Sequence, residues 1–222
     1  MAGAVSVIAA MPAAGQVPPS PAEVAAYRGL HRAAWQGSVA GIATALRAGA
    51  AVDGRDGRGR TALHVATHAA RHDAIRALVA AGARLDLLDD DRYDAVIIAA
   101  VADDEATLAL LLALGAPAGL TTSRYDGTAL IAAAHLGHDG VVRRLIAAGA
   151  PVDHVNNLHW TALIEAVVLG DGGPRHIRTV EALLAAGADR TRTDRAGRTP
   201  LALARARGFD AIAQRLADDR SR

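Results

Sequence analysis

An all-α solenoid of about six helix–turn–helix units is the fold class this sequence predicts, and three observations predict it. A Gly-Ala pair recurs at Gly49-Ala50, Gly82-Ala83, Gly115-Ala116, Gly149-Ala150 and Gly187-Ala188, a spacing of about 33 residues. A small side chain recurs six times, as Ala33, Ala66, Ala99, Ala133, Ala166 and Ala204, where anything larger would push neighbouring helices apart. Five units open on a residue whose side-chain oxygen can cap a helix: Thr61, Asp94, Thr128, Thr161 and Thr199.

The stretch 127–153, GTALIAAAHLGHDGVVRRLIAAGAPVD, shows how one unit is written. Thr128 caps the first helix, and Leu130, Ala133 and Ala134 follow on one stripe. Gly137 breaks that helix. Val141, Val142, Leu145 and Ile146 form a second apolar stripe, and Gly149 supplies the positive φ that ends a helix cheaply. Such a unit is too small to bury its apolar side alone and needs a copy on each flank.

On these residues the chain resembles the ankyrin repeat family. Gly137-His138, Val141-Val142, Leu145-Ile146 and Gly149-Ala150 match its pattern, and Thr128-Ala129-Leu130-Ile131 matches in part. The resemblance covers about residues 28–217. It implies an all-α, ankyrin-repeat solenoid with short β-hairpin loops. Residues 1–20 read as a disordered or signal-like tail and Pro-rich linker. Residues 21–217 read as the repeat domain, with repeats near 28–60, 61–93, 94–127, 128–160, 161–198 and 199–217, and 218–222 as a polar tail.

Departures from the family pattern carry their own expectations. The family histidine is kept as His31 and His64, whereas Ile97, Ile131, Ile164 and Ala202 replace it and forgo its loop hydrogen bonds. The turn D-x-x-G-x-T is intact at Asp56–Thr61 and Asp194–Thr199. Arg92 and His159 stand where glycine belongs, which predicts distorted loops. Gly170–Pro174 reads as a flexible insertion between the two helices of repeat five; no Lys-Ser or Lys-Thr follows to make a phosphate loop. At the amino end, Ser20, Pro21 and Glu23 form a capping-box start, and Val24–Gln36 reads as one helix merging into the first repeat.

Composition narrows the function classes. The chain has 222 residues, 51% hydrophobic but only 3% aromatic, so its core is aliphatic. Cysteine is absent, which excludes disulfides and thiolate metal sites. A formal net charge of +1 gives no whole-molecule attraction to nucleic acid or membrane. No stretch reaches the roughly 18 apolar residues of a membrane span. Residues 1–16 lack the basic start of a secretory signal. A cytoplasmic location is expected, with export to the periplasm as the alternative if that segment is a signal.

Candidate chemistry is sparse. His64, His68 and His72 are spaced by four, as a helical metal site would be, but the repeat register puts His72 in a turn beyond that helix, so no metal is expected. His135 lies on the open face without a nucleophile or orienting acid beside it. Glu165 reads as hydrogen-bonded within the stack or solvated. The acidic runs Asp89-Asp90-Asp91 and Asp103-Asp104-Glu105 lack a calcium loop's alternation and central glycine, and read as solvated. The basic last repeat, Arg190 to Arg207, lacks the aromatic stacking of a nucleic-acid reader. No cofactor and no catalysis are expected.

In relatives of this kind partners touch the loop tips and the eighth and ninth positions of each first helix. Here those helix positions are Trp35-Gln36, His68, Val101, His135-Leu136 and Val168-Leu169, and the resemblance puts Tyr93, Tyr125 and Trp160 at the tips. Exposed Trp and Tyr are common binding anchors. The expected function is recognition of another protein on the concave face by a monomeric chain, without nucleic acid or membrane. The alternatives are a structural or self-associating element and, further off, a small-ligand binder or enzyme.

Overall fold

A computed structural model describes residues 17–218, and among these the chain folds into thirteen helices with no named strand. Helix α1 spans Pro21–Ala26. Six helix pairs follow: α2 Gly29–Gln36 with α3 Val39–Arg47, α4 Ala62–His68 with α5 His72–Ala80, α6 Ala95–Val101 with α7 Glu105–Ala113, α8 Ala129–Leu136 with α9 Asp139–Ala147, α10 Ala162–Val168 with α11 Pro174–Ala185, and α12 Pro200–Ala206 with α13 Asp210–Ala217. First helices pack on first helices and second on second along the stack.

Local signals place the helices where the sequence puts them. Thr61, Asp94, Thr128, Thr161 and Thr199 each accept a hydrogen bond from the backbone N–H three residues on, satisfying a donor the helix leaves open. The six recurring alanines are buried in the interface between first helices. Leu30, Leu63, Val96, Leu130 and Leu163 are buried beside them. Leu201, in the last helix pair, is only half-buried.

The continuous helix expected over Val24–Gln36 is broken. Tyr27 leaves α1 at ψ 139° and Arg28 is extended at φ −134° and ψ 167°. The break turns Tyr27 inward, where it is buried and its hydroxyl donates to Asp56 Oδ2 at 3.0 Å. The amino-terminal segment is clamped from below by Arg60, only 1% exposed. Its guanidinium reaches Glu23 at 3.1 Å and donates to the Val17 carbonyl at 2.8 Å. Removing one partner of so buried a charge is costly.

The loops between units are turns, not ladders: the only bridges among the described residues are Arg55 with Thr61 and Thr122 with Gly127. One side-chain oxygen organises four of them. Asp56 accepts from the N–H of Arg58 and Arg60, Asp89 from Asp91 and Tyr93, Asn156 from Leu158 and Trp160, and Asp194 from Ala196 and Arg198, all at 2.8–3.0 Å. Asp89 is therefore a buried loop organiser rather than part of a solvated face. In the second acidic run Asp104 caps α7, while Asp103 and Glu105 pair with Arg175 and Arg144.

Arg92 and His159 do not distort their loops. They take φ +64° and +69°, beside +69° for Gly59 and +73° for Gly197 in the intact turns. The organising Asp or Asn outweighs the steric preference, so the strain is kept in the backbone. The insertion in repeat five is likewise held in place. Asp171 accepts from the Gly173 N–H at 2.8 Å and contacts His176 Nδ1 at 2.7 Å, while Gly172 lies against the Phe209 ring.

Candidate partner-binding surface

The last turn of each first helix lies at the same height in the stack, so side chains there form a row. Trp35 and Gln36 end α2, His68 ends α4, Val101 ends α6, His135 and Leu136 end α8, and Val168 ends α10 with Leu169 as its cap. All are partly exposed except Gln36, which is exposed. The middle of the row is uncharged: burial lowers the His68 pKa to about 3 and lowers that of His135. The row is thus a largely neutral strip of ring and aliphatic surface.

Hydrogen bonds between units fix the row's spacing. Arg71 Nε donates to the Trp35 carbonyl at 3.0 Å, His138 Nδ1 meets that of Ala100 at 2.9 Å, and His176 Nε2 meets that of His135 at 2.9 Å. Arg207 does the same for Val168 while its guanidinium lies 4.6 Å over the Phe209 ring. Each bond satisfies a carbonyl at a helix end with a group from the next unit. The loop tips are tied in the same sense: Asp90 N–H to Arg58 O, Ser123 N–H to Arg92 O and Asn157 N–H to Tyr125 O, at 2.9–3.1 Å.

The aromatics divide on inspection. Tyr125 lies at a tip, in the turn closed by Thr122 and Gly127. Tyr93 and Trp160 do not; they occupy the return leg, one residue before the caps Asp94 and Thr161, the place Arg60 holds in its own loop. There they pack partly against the core, because that leg turns inward to meet the next helix. Trp35 is also half-buried against the core.

No metal-binding constellation gathers among the described residues. The His64 ring is tied to Thr61 by Nδ1 and to the Leu87 and Tyr93 carbonyls by Nε2, and burial lowers its pKa to about 4. His72 opens α5 rather than lying in the turn, and its Nε2 meets the Thr107 hydroxyl. The three rings do not converge, and among the described residues no group of three His, Asp or Glu could hold a metal. Glu165 is buried under the row, where its Oε1 accepts from Asn156 and its Oε2 lies 3.8 Å from His135 Nδ1.

One feature escaped the family register: Arg28, Arg32 and Arg71 border an open groove beside Trp35. The signal was present, since positions 28, 32 and 35 fall on one helical stripe. That stripe alone does not define the groove, which also takes residues from α1 and the N-cap of α5.

A stack of paired helices that sets one row of helix ends in register defines a repeat solenoid, a class that presents a surface rather than enclosing a site. The chain belongs to the ankyrin repeat family: the family model described as ankyrin repeats (3 copies) matches residues 30–121 and again 98–194. It is 36% identical over 185 residues to the Escherichia coli (strain K12) protein YahD, named for its ankyrin repeats, covering 83% of this chain and 92% of that one. It is similar to the crystal structure of an ankyrin repeat domain from Acinetobacter baumannii AYE, with TM-score 0.78 and 42% identity over 84% of this chain and 95% of that one. The ankyrin repeat domain of Bcl-3, from the IkappaB protein family, matches with TM-score 0.76 and 28% identity over 88% of each chain. Among the described residues no helix is long and apolar enough to cross a membrane.

Proposed function

We propose that this chain binds another protein along the row from Trp35 to Leu169, with Tyr125 reaching the same partner from the loop side. Ankyrin repeats are a protein–protein interaction module, and one observation supports applying that here. The row is uncharged, partly exposed and held by hydrogen bonds from unit to unit. A surface fixed before contact loses little side-chain and backbone freedom on binding. Specificity then comes from which side chains stand in the row, since the fold alone does not transmit it.

The reading is non-catalytic and monomeric. The buried carboxyl of Glu165 is held by Asn156 and lies 3.8 Å from His135 Nδ1, a pairing within the stack. Three arginines of the last repeat are turned to structural use: Arg198 pairs with Asp194, Arg207 holds the Val168 carbonyl and Arg190 holds that of Asp218. That favours a protein partner over a nucleic acid.

The test is affinity capture with the full chain, read by mass spectrometry, beside Val101→Arg and Leu136→Arg. Either charge in the neutral row should remove the proteins the unaltered chain captures, with thermal melting unchanged. Retention of the same proteins by both variants defeats the reading. Sedimentation over rising concentration reports the monomer; a mass that grows with concentration supports self-association instead.

A further inference from the structure

Three guanidinium groups gather at the amino-terminal end of the row with no carboxylate among them. Arg28 precedes α2, Arg32 lies one turn along it and Arg71 precedes α5; with Val24 and Trp35 they border an open groove of about 620 Å³. Arg28 donates to the carbonyls of Ala25 and Tyr27 at 2.7 and 2.8 Å, and Arg71 to that of Trp35 at 3.0 Å. Arg32 is exposed, and its guanidinium makes no hydrogen bond or ion pair among the described residues. Glu23, the acid nearest in sequence, is occupied by Ser20 and Arg60.

Several arginines elsewhere in the stack are paired with acids. Arg144 meets Glu105 at 2.9 Å, Arg178 meets Asp139 at 2.9 Å and Arg215 meets Glu181 at 2.6 Å, each across one unit boundary. Arg28, Arg32 and Arg71 have no such pair, and they share one groove that borders the exposed part of an indole and has no acid in its lining. Guanidinium groups match carboxylates in a planar, two-point geometry. The Trp35 ring and the Val24 side chain supply the apolar contact beside them. A nucleic acid would want further rings for stacking, and Trp35 is the groove's single aromatic.

We propose that this groove binds an acidic segment of a protein partner, with its carboxylates on Arg28, Arg32 and Arg71 and an apolar side chain on Trp35. The proposal rests on the protein-binding reading and names the chemistry of the partner at one end of the row. The acidic segment sets orientation and speeds encounter, since complementary charge steers association.

The probe is a fluorescein-labelled, glutamate-rich peptide with a central leucine, followed by anisotropy on the full chain. Its glutamine counterpart is the control. The glutamate peptide should bind, weaken as salt rises, and lose about tenfold or more in affinity with Arg32→Glu, equivalent to about 1.4 kcal/mol. Arg32→Gln should show an intermediate loss. Arg205→Glu, the same charge change at the far end of the stack, should bind as the unaltered chain does. Arg32 has no partner to lose, so melting should not move. Equal binding of the two peptides, or equal losses in Arg32→Glu and Arg205→Glu, overturns the proposal. Tighter binding of single-stranded DNA or of phosphatidylserine vesicles through Arg32 overturns it as well. If the Arg32 variants keep the peptide while Val101→Arg loses the captured partner, the groove fails and the row stands. If Val101→Arg keeps its partner while Arg32→Glu loses the peptide, the row fails and the groove stands.

Discussion

Asn156 donates its side-chain amide to Oε1 of Glu165 at 2.8 Å, and by its own Oδ1 holds the N–H groups of Leu158 and Trp160. One residue thus joins a loop to the helix after it, directly beneath the Trp160 leg. The other three loops of this kind use Asp in the same place, as Asp56, Asp89 and Asp194. An Asp here would face the Glu165 carboxyl with no proton to offer, which accounts for the amide.

Burial raises the Glu165 pKa from 4.5 to about 7, against the lowering effect of the Asn156 bond. A carboxyl whose folded pKa exceeds its unfolded one contributes its full stability below the unfolded value and loses it as pH rises through the folded value. The chain should therefore lose stability through this residue between about pH 5 and about pH 8. Glu165→Gln keeps the acceptor and removes the charge. Chemical denaturation across that range should show the variant gaining on the unaltered chain as pH rises, by on the order of 1–3 kcal/mol. Parallel pH curves for the two would show that Glu165 titrates normally.

His159 is exposed and holds φ +69°, where the intact turns have glycine. His159→Gly should stabilise the fold by about 0.5–1 kcal/mol, the relief of left-handed strain less the entropy of an added glycine. Arg92→Gly should gain less, because Arg92 also reaches Asp126 at 3.4 Å, an exposed pair worth about 0–1 kcal/mol. Denaturant midpoints of the two variants check the order.

Gly172 and Gly49 separate strain from packing. Both have positive φ, +72° and +90°. A Cβ on Gly49 meets nothing within 4 Å, whereas one on Gly172 would come within 2.5 Å of the Phe209 ring. Gly172→Ala should therefore cost about 1–3 kcal/mol more than Gly49→Ala. Equal losses in thermal and denaturant unfolding would mean that the insertion is not wedged against repeat six.

The aromatics should sort by what lies beneath them. Tyr125 is not among the residues packed against the core, whereas Trp35 and Trp160 are. Tyr125→Ala should weaken a captured partner by more than about 1 kcal/mol with melting nearly unchanged. Trp160→Ala and Trp35→Ala should lower both affinity and melting temperature. Loss of stability without loss of binding in all three would assign the rings to the stack alone.

Much of the architecture was legible because it is written locally. Thr128, Gly137 and Gly149 each act within a few residues of themselves, and each acts as its type dictates. The row of helix ends followed from the same register. The misreadings concern competition between local preferences and distant partners. Tyr27 breaks a helix that its neighbours would continue because Asp56, in the next unit, accepts its hydroxyl. The family resemblance puts Tyr93 and Trp160 at the tips, but the inward turn of the loop decides their place.

The sequence by itself determined the number of units, their phase and which helix faces are apolar, since these depend on capping, periodicity and side-chain size along one chain. The tertiary structure alone decided which charges are compensated and which stay open. Arg144 and Arg32 are both exposed helix residues. Only the stacking of units puts Glu105 beside the first, while the second has no ion pair among the described residues, because an ion pair forms between groups some thirty-nine positions apart in sequence and a few ångströms apart in space.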